Sequence, residues 1–275
     1  VLYGRNGQQV RRLLNAYRSR TERAENTDYY DEAHVAASLT ALSALRERLE
    51  AQGIPLTVLL APRTVDVATA AGYPSVLSDR LHEQVETGLA TIPHIDMTPD
   101  FRARFAAGEY VMYRTDHHWT QLGAYYAYTA FCEAAGFDAV PLEQFQTGRY
   151  DTFLGSMYTF TKGYPQSDVL KQHPDYLDYY LPITDTHARY YADGSLENGT
   201  PVSVVYTQLD ESVSNKYLCF IGGDTPICIV ESDVPGPTCI VLKESYGNAF
   251  VPFLTSHYGR IIVCLLYTSD AADDK

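Results

Sequence analysis

The chain has no run of about 18 apolar residues, the length that a bilayer-spanning helix needs, so we expect no membrane span within it. It is also short of basic residues: 21 lysines and arginines stand against 34 aspartates and glutamates, and the formal net charge is −13. Such an acidic chain is repelled by nucleic acid and by anionic membrane surfaces. We therefore expect neither as a partner. Its 275 residues, 45% of them hydrophobic, are enough for one full α/β core.

Cysteine is scarce as well. None of the five cysteines forms a CxxC pair, and Cys132, Cys219, Cys228 and Cys239 all have apolar neighbours. This setting favours buried free thiols. A disulfide between Cys219 or Cys228 and Cys239 stays open in an oxidising compartment.

The two ends of the chain have unusual sequences. It begins with Val1 rather than Met, and residues 264–275 resemble the conceptual translation of a sequencing adapter, with a natural acidic tail as the alternative. We expect residues 1–263 to be a single catalytic domain that is truncated at both ends, and residues 264–275 to be derived from the adapter. Any signal peptide or membrane anchor would lie upstream of Val1.

Apolar residues recur with alternating helix and strand periods along most of the chain. The spacing predicts helices at 35–49, 77–89, 120–135 and 246–258, and strands at 54–60, 92–97, 239–243 and 260–263. Alternating strands and helices are typical of a parallel sheet with helices on both faces. In such sheets ligands bind at the carboxyl ends of the strands.

Residues 141–215 do not follow this alternation. The segment is rich in Tyr, Asp, Gly and Pro, and ten of the 23 tyrosines lie between Tyr150 and Tyr217. We expect an irregular insertion here. Its tyrosines either stack against sugar rings or serve for packing and hydrogen bonding within the protein.

Two separated segments carry residues that are suited to acyl transfer. In the first, Asp116 comes two positions before His118, where a carboxylate can orient an imidazole and stabilise its charged form. In the second, Ser245 follows an apolar run and precedes a helical pattern, so that its hydroxyl is exposed at an elbow. A base, its orienting carboxylate and a serine at an elbow are the arrangement of a serine hydrolase or acyltransferase. We therefore predict Ser245 as nucleophile, His118 as general base and Asp116 as its orienter.

Further residues near the two segments are candidates for substrate or oxyanion contacts. A helix N-terminus presents backbone amides to an oxyanion, and paired glycines allow close backbone approach to a ligand, whereas an ionised carboxylate cannot donate a hydrogen bond. Arg114 has an exposed ion pair as its alternative role, and Trp119 either walls the pocket or fills the core. The predicted set is Tyr246, Gly247, Asn248, Gly223, Asp224, Tyr113, Arg114, His117 and Trp119.

The two segments together resemble the bacterial DHHW family and, more distantly, the SGNH-like domains of alginate-type polysaccharide O-acetyltransferases. The resemblance covers Tyr3 to about Val263. Its blocks are residues 113–120, 123–126, 220–223, 243–246 and 250–254. The family usually has Asp where this chain has Glu244 and Asn where it has Asp224, which puts an oxyanion contact by Asp224 in doubt.

The resemblance implies an SGNH-hydrolase-like fold and an enzyme that transfers or hydrolyses O-acyl groups without a metal or organic cofactor. It also implies an extracytoplasmic polysaccharide or cell-envelope glycan as substrate, with the full-length protein secreted or membrane-anchored and a membrane-bound protein as acyl donor. In the related acetyltransferases an Asp-x-His pair acts in catalysis, and this pair corresponds to Asp116 and His118.

Two other functions stay open from the sequence. The run Asp116-His117-His118 also occurs in metal-dependent phosphoesterases, where Asp96 and Asp100 would be further ligands. The third interpretation is a carbohydrate-binding domain without catalytic activity.

Overall fold

The computed structural model describes residues 32–68, 76–164, 167–192 and 196–266. The α-helices are α1 (Glu32–Glu50), α2 (Thr64–Val67), α3 (Val76–Leu89), α4 (Thr98–Ala106), α5 (Gln121–Ala135), α6 (Ser156–Thr161), α7 (Ser167–Gln172) and α8 (Gly247–Leu254). The strands are β1 (Val58–Leu60), β2 (His94–Asp96), β3 (Thr147–Phe153), β4 (Asp175–Tyr180), β5 (Thr186–Tyr191), β6 (Thr200–Val202), β7 (Ile227–Ser232), β8 (Thr238–Lys243) and β9 (Arg260–Leu265). Short 3₁₀ turns lie at Leu142–Gln144 and Lys216–Cys219.

The chain divides into two compact units, of which the first contains Val1–Glu109 and Phe160–Leu170. In it β1 pairs parallel with β2, in the register that places Val58 beside His94. Helices α1 and α3 approach closely, since a Cβ on Gly88 would lie 2.3 Å from a methyl carbon of Leu39. All four predicted helices and strands in this region are found, with bounds shifted by a few residues.

The second unit contains Tyr110–Thr159 and Lys171–Lys275. Its five-stranded sheet has the order β6-β5-β7-β9-β8. Only β8 and β9 run parallel, and β5, β6 and β7 join them antiparallel. The α/β class is confirmed, but the prediction of a wholly parallel sheet is corrected to a mixed one. The reason is connectivity: β8 and β9 are joined through α8, as parallel neighbours require, whereas β5 and β6 are joined by a loop too short for a helix.

The tyrosine-rich segment is less irregular than its composition indicated. It contains β3 to β6, and β3 pairs antiparallel with β4. Burial alternates along β4, where Asp175, Leu177 and Tyr179 are buried and their neighbours are less so. Tyrosine and threonine suit strands, and the buried carboxylate of Asp175 breaks the apolar pattern by which a strand is normally recognised. The predicted boundaries of the insertion and of the single domain stay predictions.

Ser245 lies between β8 and α8, as the sequence predicted. Helix α8 packs on α5 through aromatic rings, with Phe253 5.6 Å from Tyr125 and 5.4 Å from Tyr128 between ring centroids. Helix α5 begins next to the other half of the motif, where the hydroxyl of Thr120 accepts the amide of Gly123 at 3.1 Å. The two helices therefore hold the two sequence segments in one unit.

No described helix is long and apolar enough to cross a membrane. All five cysteines lie in the described part of the chain and none is in a disulfide. Strand β9 extends to Leu265, so the first two residues of the predicted adapter tail pair in the sheet. Residues 267–275, the rest of that tail, lie outside the described residues, as do Val1 and the residues that follow it up to 31.

Candidate active site

The loop that carries Asp116 and His118 is closed by backbone hydrogen bonds and anchored by a buried carboxylate. Met112 and Trp119 form an isolated antiparallel bridge, inside which Tyr113 N–H donates to the carbonyl of His118 at 3.2 Å. The carboxylate of Asp175 accepts the Thr115 amide at 2.7 Å and the Thr115 hydroxyl at 2.6 Å. The loop is thereby fixed, although no regular strand leads directly into it.

Asp116 and His118 form a buried hydrogen-bonded pair. Asp116 Oδ1 lies 2.5 Å from His118 Nδ1 and also accepts the His118 amide at 2.9 Å, while Oδ2 accepts the Ser156 amide at 2.8 Å. Burial disfavours the ionised carboxylate, but the hydrogen bond and charge of His118 outweigh it and hold the pKa of Asp116 well below its ordinary value. Asp116 is therefore a carboxylate that orients the ring.

The other nitrogen of His118 contacts Ser245. His118 Nε2 lies 2.6 Å from Ser245 Oγ. The imidazole stacks on Tyr217 with ring centroids 3.9 Å apart and an interplanar angle of 9°. Tyr217 is buried and its hydroxyl donates to the Ser245 carbonyl at 3.3 Å. The structure thus brings Ser245, His118 and Asp116 into one chain of hydrogen bonds, with Tyr217 holding the ring plane.

His117 has a different environment from its neighbour. Its Nδ1 lies 2.5 Å from Ser156 Oγ, and its ring is 3.8 Å from that of His118. Burial and the neighbouring His118 lower the pKa of His117 to about 4. The ring contacts a side-chain hydroxyl, and its lowered pKa favours the neutral form at pH 7.

Hydrogen bonds of Trp119 and Tyr246 join the loop that carries His118 to the turn that carries Ser245. Trp119 is only 1% exposed, and its indole N–H donates to the Tyr246 carbonyl at 3.0 Å. The Tyr246 hydroxyl in turn donates to the His117 carbonyl. Of the two roles open for Trp119, the structure gives it the one in the core, where it positions Ser245 through the adjoining peptide.

The predicted oxyanion donors are already engaged in other hydrogen bonds. The Tyr246 amide donates to Glu244 Oε2 at 3.0 Å, and the Gly247 amide donates to the Glu244 carbonyl at 3.1 Å. The same Glu244 oxygen lies 3.4 Å from Ser245 Oγ. Burial raises the pKa of the Glu244 carboxyl above its ordinary value. Within the described residues, no acceptor contacts the amide of Ser245 itself.

Asp224 and Asn248 belong to a polar group behind the elbow. Asp224 Oδ1 accepts from Lys243 Nζ at 2.5 Å and from Asn248 Nδ2 at 3.0 Å. Lys243 is almost fully buried, so Asp224 neutralises an ammonium that water cannot reach. The side-chain amide of Asn248 therefore donates to Asp224, and Asp224 is the counter-ion of Lys243.

The remaining predicted residues have structural contacts. Gly223, at φ +91°, closes a turn in which its amide donates to the Phe220 carbonyl at 3.0 Å. Tyr113 is 1% exposed. The guanidinium of Arg114 contacts Asp175 Oδ1 at 3.0 Å and the Pro174 carbonyl at 2.9 Å. Direct substrate contact by these three stays a prediction that the geometry does not favour.

Four residues of the site have no signal in the sequence that we could interpret. Gly155 lies so close to Asp116 that an added Cβ would be 2.2 Å from the Asp116 Cβ. Ser156, Asp175 and Tyr217 contact the motif through hydrogen bonds or ring stacking. All four lie in or beside the tyrosine-rich segment, and only the folded chain brings them to residues 116–118.

Asp116, His117 and His118 could also hold a metal ion, because one ligand atom from each lies within 4.8 Å of the others. The sequence grouped Asp96 and Asp100 with them. Asp96 contacts His82 at 3.4 Å, and Asp100 accepts from Arg104 Nε at 2.7 Å. Both belong to the first unit.

Comparison with known proteins gives a family and a fold. The sequence profile of the DHHW protein family matches residues 101–264. A DHHW family protein from Eubacterium siraeum is 30% identical, with a TM-score of 0.60 over 80% of this chain and 74% of that chain. No curated protein matches the sequence.

Two more distant structures share the fold. PatB1 from Bacillus cereus, solved with a sulfonyl adduct, is 16% identical with a TM-score of 0.68 over 86% of this chain and 81% of that chain. The O-acetyltransferase domain of Pseudomonas putida AlgJ is 18% identical with a TM-score of 0.50 over 86% of this chain and 73% of that chain. At these identities the likeness concerns the fold.

Proposed function

This chain belongs to the DHHW protein family, and from that premise we propose that it is an enzyme that transfers or hydrolyses O-acyl groups. Ser245 is the nucleophile, His118 the general base and Asp116 the residue that orients it. The observation that carries the proposal is the continuous contact from Asp116 Oδ1 to His118 Nδ1 at 2.5 Å and from His118 Nε2 to Ser245 Oγ at 2.6 Å. These are the distances that a base and its nucleophile need.

The reaction proceeds in two halves. Ser245 Oγ attacks the ester carbonyl while its proton passes to His118 Nε2, and collapse of the tetrahedral intermediate returns that proton to the departing alkoxide. An acyl-serine remains. His118 Nε2 then takes the proton of the acceptor hydroxyl as that oxygen attacks the acyl carbon, and collapse of the second intermediate breaks the bond to Ser245 Oγ, which receives the proton back from His118. Ionised Asp116 stabilises the imidazolium in both halves, and neither half requires a metal or organic cofactor.

The oxyanion of each intermediate needs hydrogen-bond donors. We assign the Ser245 amide as the first donor, because no described residue uses it. The Tyr246 amide becomes a second donor only when the carboxylate of Glu244 leaves it. A carboxylate 3.4 Å from Oγ would repel the developing charge, so substrate binding displaces or neutralises Glu244, and the raised pKa of Glu244 favours its neutral form.

The acyl group and the acceptor are assigned from the family resemblance. Acetyl is the proposed acyl group, and AlgJ, whose solved part is an O-acetyltransferase domain, has the same fold. The proposed acceptor is a polysaccharide or cell-envelope glycan outside the cytoplasm, with a membrane-bound protein as acyl donor. Transfer and hydrolysis differ only in whether a sugar hydroxyl or water reaches the acyl-serine, and we propose transfer as the main activity.

The second candidate is a metal-dependent phosphoesterase. It is favoured by one observation, the convergence of ligand atoms from Asp116, His117 and His118 within 4.8 Å. Both ring nitrogens of His118 already have partners in Asp116 and Ser245, and His117 Nδ1 contacts Ser156. A metal would have to replace these hydrogen bonds, which is why we place acyl transfer first.

The test is hydrolysis of p-nitrophenyl acetate with and without acceptor oligosaccharide. Acceptor should divert acetyl from water to sugar, as measured by mass spectrometry. Ser245→Ala should abolish both products. Ser156→Ala is the matched control, because Ser156 also contacts a motif histidine but lacks a base oriented by Asp116, and it should keep most of the activity.

A serine-reactive phosphonate should label Ser245 and leave Ser156 unmodified. Activity lost on treatment with a chelator but retained in Ser245→Ala would reject the acyl-transfer mechanism in favour of the phosphoesterase. Glycan binding that is unchanged by Ser245→Ala, without turnover in the native chain, would indicate the inactive carbohydrate-binding domain.

A further inference from the structure

Three metal-binding side chains, those of His82, Glu86 and Asp96, converge in the first unit outside the candidate active site, and His94 contacts one of them. Helix α3 carries His82 and Glu86 one turn apart, and strand β2 carries His94 and Asp96 two residues apart. Spacings of four in a helix and two in a strand place each pair on one face. Across the two elements, His82 Nε2 lies 3.4 Å from Asp96 Oδ2, and His94 Nε2 lies 3.3 Å from Glu86 Oε2.

The two ring nitrogens of His94 face two acceptors, the Ile92 carbonyl and the Glu86 carboxylate. Its Nδ1 is 2.9 Å from the Ile92 carbonyl, to which it donates. In the neutral ring Nε2 is then an acceptor, and it faces a carboxylate oxygen of Glu86. Two acceptors in contact need a cation between them or a proton on the ring.

The carboxylates are positioned in the same way. Asp96 Oδ1 accepts the Thr98 amide at 2.9 Å, which directs Oδ2 toward His82. Glu86 Oε1 is buried and has no hydrogen-bond partner among the described residues. A buried carboxylate oxygen without a partner is costly, and a cation would remove that cost.

We propose that His82, Glu86 and Asp96 bind a divalent transition metal of the zinc class, and that His94 positions Glu86 beside it. Zinc takes imidazole nitrogen and carboxylate oxygen at about 2.0–2.2 Å in a tetrahedron, which puts neighbouring ligand atoms about 3.3–3.5 Å apart. The His82–Asp96 distance of 3.4 Å matches one edge of that tetrahedron. Ligand atoms of His82, Glu86 and Asp96 also lie within 4.8 Å of one another.

The rival explanation is two ion pairs between protonated histidines and carboxylates at a half-buried surface. Ion pairs of this kind contribute little and do not bind metal stoichiometrically. Titration of the full chain with Zn²⁺ at pH 7.5 by calorimetry, with the zinc content measured after dialysis, separates the two. We expect one zinc per chain. Co²⁺ in place of zinc should give the intense visible absorption of tetrahedral coordination.

The variants His82→Gln and Asp96→Asn should each weaken zinc binding at least about tenfold. Glu83→Gln, which removes an exposed carboxylate from the same helix, is the matched control and should bind zinc as the native chain does. Circular dichroism in the absence of metal establishes that each variant is folded. Zinc should also raise the melting temperature of the native chain and not that of His82→Gln.

No stoichiometric binding by the native chain would overturn the proposal, as would unchanged affinity in both folded variants. Zinc binding that is lost in His117→Ala but kept in His82→Gln would place the metal on the DHHW motif instead and would likewise overturn it. These readouts do not use enzymatic activity, so they are independent of the proposed acyl transfer.

Discussion

Two groups of histidine and carboxylate lie in different units of this chain, and they differ in what the ring nitrogens contact. At the candidate active site both nitrogens of His118 have close partners, and Asp116 beside it is buried. In the proposed zinc cluster, which consists of His82, Glu86 and Asp96, the His82 side chain is half-exposed and lies 3.4 Å from Asp96. On the two proposals above, the same side-chain types serve two chemistries. Short hydrogen bonds prepare a proton transfer, whereas the longer contact between His82 and Asp96 leaves space for a cation.

The strongest test of the difference between the two sites replaces Asp116, the buried carboxylate of the candidate active site, by its amide. Asp116→Asn keeps the shape but replaces the acceptor at His118 Nδ1, so that the ring tautomer and its charged form lose their support. We expect kcat/KM to fall about 10³-fold and zinc affinity to be unchanged. Steady-state kinetics on p-nitrophenyl acetate measure the first and calorimetry the second.

The control for this variant is Asp100→Asn, which removes a carboxylate that pairs with Arg104 on one turn of a surface helix. It should leave kcat/KM within about twofold, because ion pairs of this kind contribute little. A loss of less than about tenfold in Asp116→Asn would mean that the carboxylate does not orient the base. Lost zinc affinity would show that the two groups are one site.

The second test concerns the close packing of Gly155 against Asp116. In Gly155→Ala the new methyl would lie 2.2 Å from the Asp116 Cβ, so one of the two must move. We expect about a 10²-fold loss of kcat, since a displacement of about 1 Å can have this effect, with the zinc cluster unaffected. An unchanged kcat would contradict the rigidity that we assign to this contact.

The sequence predicts the features that depend on local patterns and misses those that depend on contacts between residues far apart in the chain. The contact between Ser245 and His118 could be predicted, because an elbow after an apolar strand and an Asp-x-His pair are local patterns, and their catalytic roles stay predictions. Gly155 and Tyr217 could not, since their roles depend on contacts with residues far away in the chain. The parallel sheet was predicted from the alternation of elements, whereas β5 and β6 lie in a segment whose tyrosines and aspartates hide the strand period.

The oxyanion donors were predicted from position alone, and the structure shows why this is insufficient. A backbone amide at a helix start is available only if no side chain caps it, and Glu244 caps that of Tyr246. Similarly, Asn248 has the right side chain in the right place but donates to Asp224. Sequence patterns give residue types, and the competition among neighbouring acceptors decides which donors stay free.

The third test concerns the buried ion pair of Lys243 and Asp224, whose contribution to the free energy of unfolding can be measured. Asp224→Asn removes the counter-ion of Lys243, whose side chain is only 4% exposed. We expect the free energy of unfolding to fall by about 2 kcal/mol, which is less than the roughly 3–5 kcal/mol lost when a fully buried pair is broken, because Asp224 itself is partly exposed. Urea denaturation at pH 7 measures it. Lys243→Met added to Asp224→Asn should restore most of the loss.

The matched control is Asp178→Asn, which breaks the half-exposed pair with Arg149 and should cost less than about 1 kcal/mol. Equal losses in the two aspartate variants would mean that burial of Lys243 does not govern the energy of its pair.

The smallest expected effect concerns the acid dependence of stability. The pKa of His117 is lowered to about 4, so between that value and its unfolded value of about 6.5 the unfolded chain binds a proton that the folded chain does not. Stability from His117 is therefore present above pH 6.5 and lost as pH falls. From pH 7 to 5.5 this loss is about 1 kcal/mol.

His117→Gln, which can still hydrogen-bond Ser156, should lack this part of the decline, so its stability relative to the native chain improves at pH 5.5. His173→Gln removes an exposed imidazole and serves as the control in the same urea titrations. The free energies of unfolding of the native and His117→Gln chains could instead differ by a constant amount from pH 7 to 5.5. In that case His117 becomes protonated in the folded state, and its short hydrogen bond to Ser156 does not exclude a charged ring.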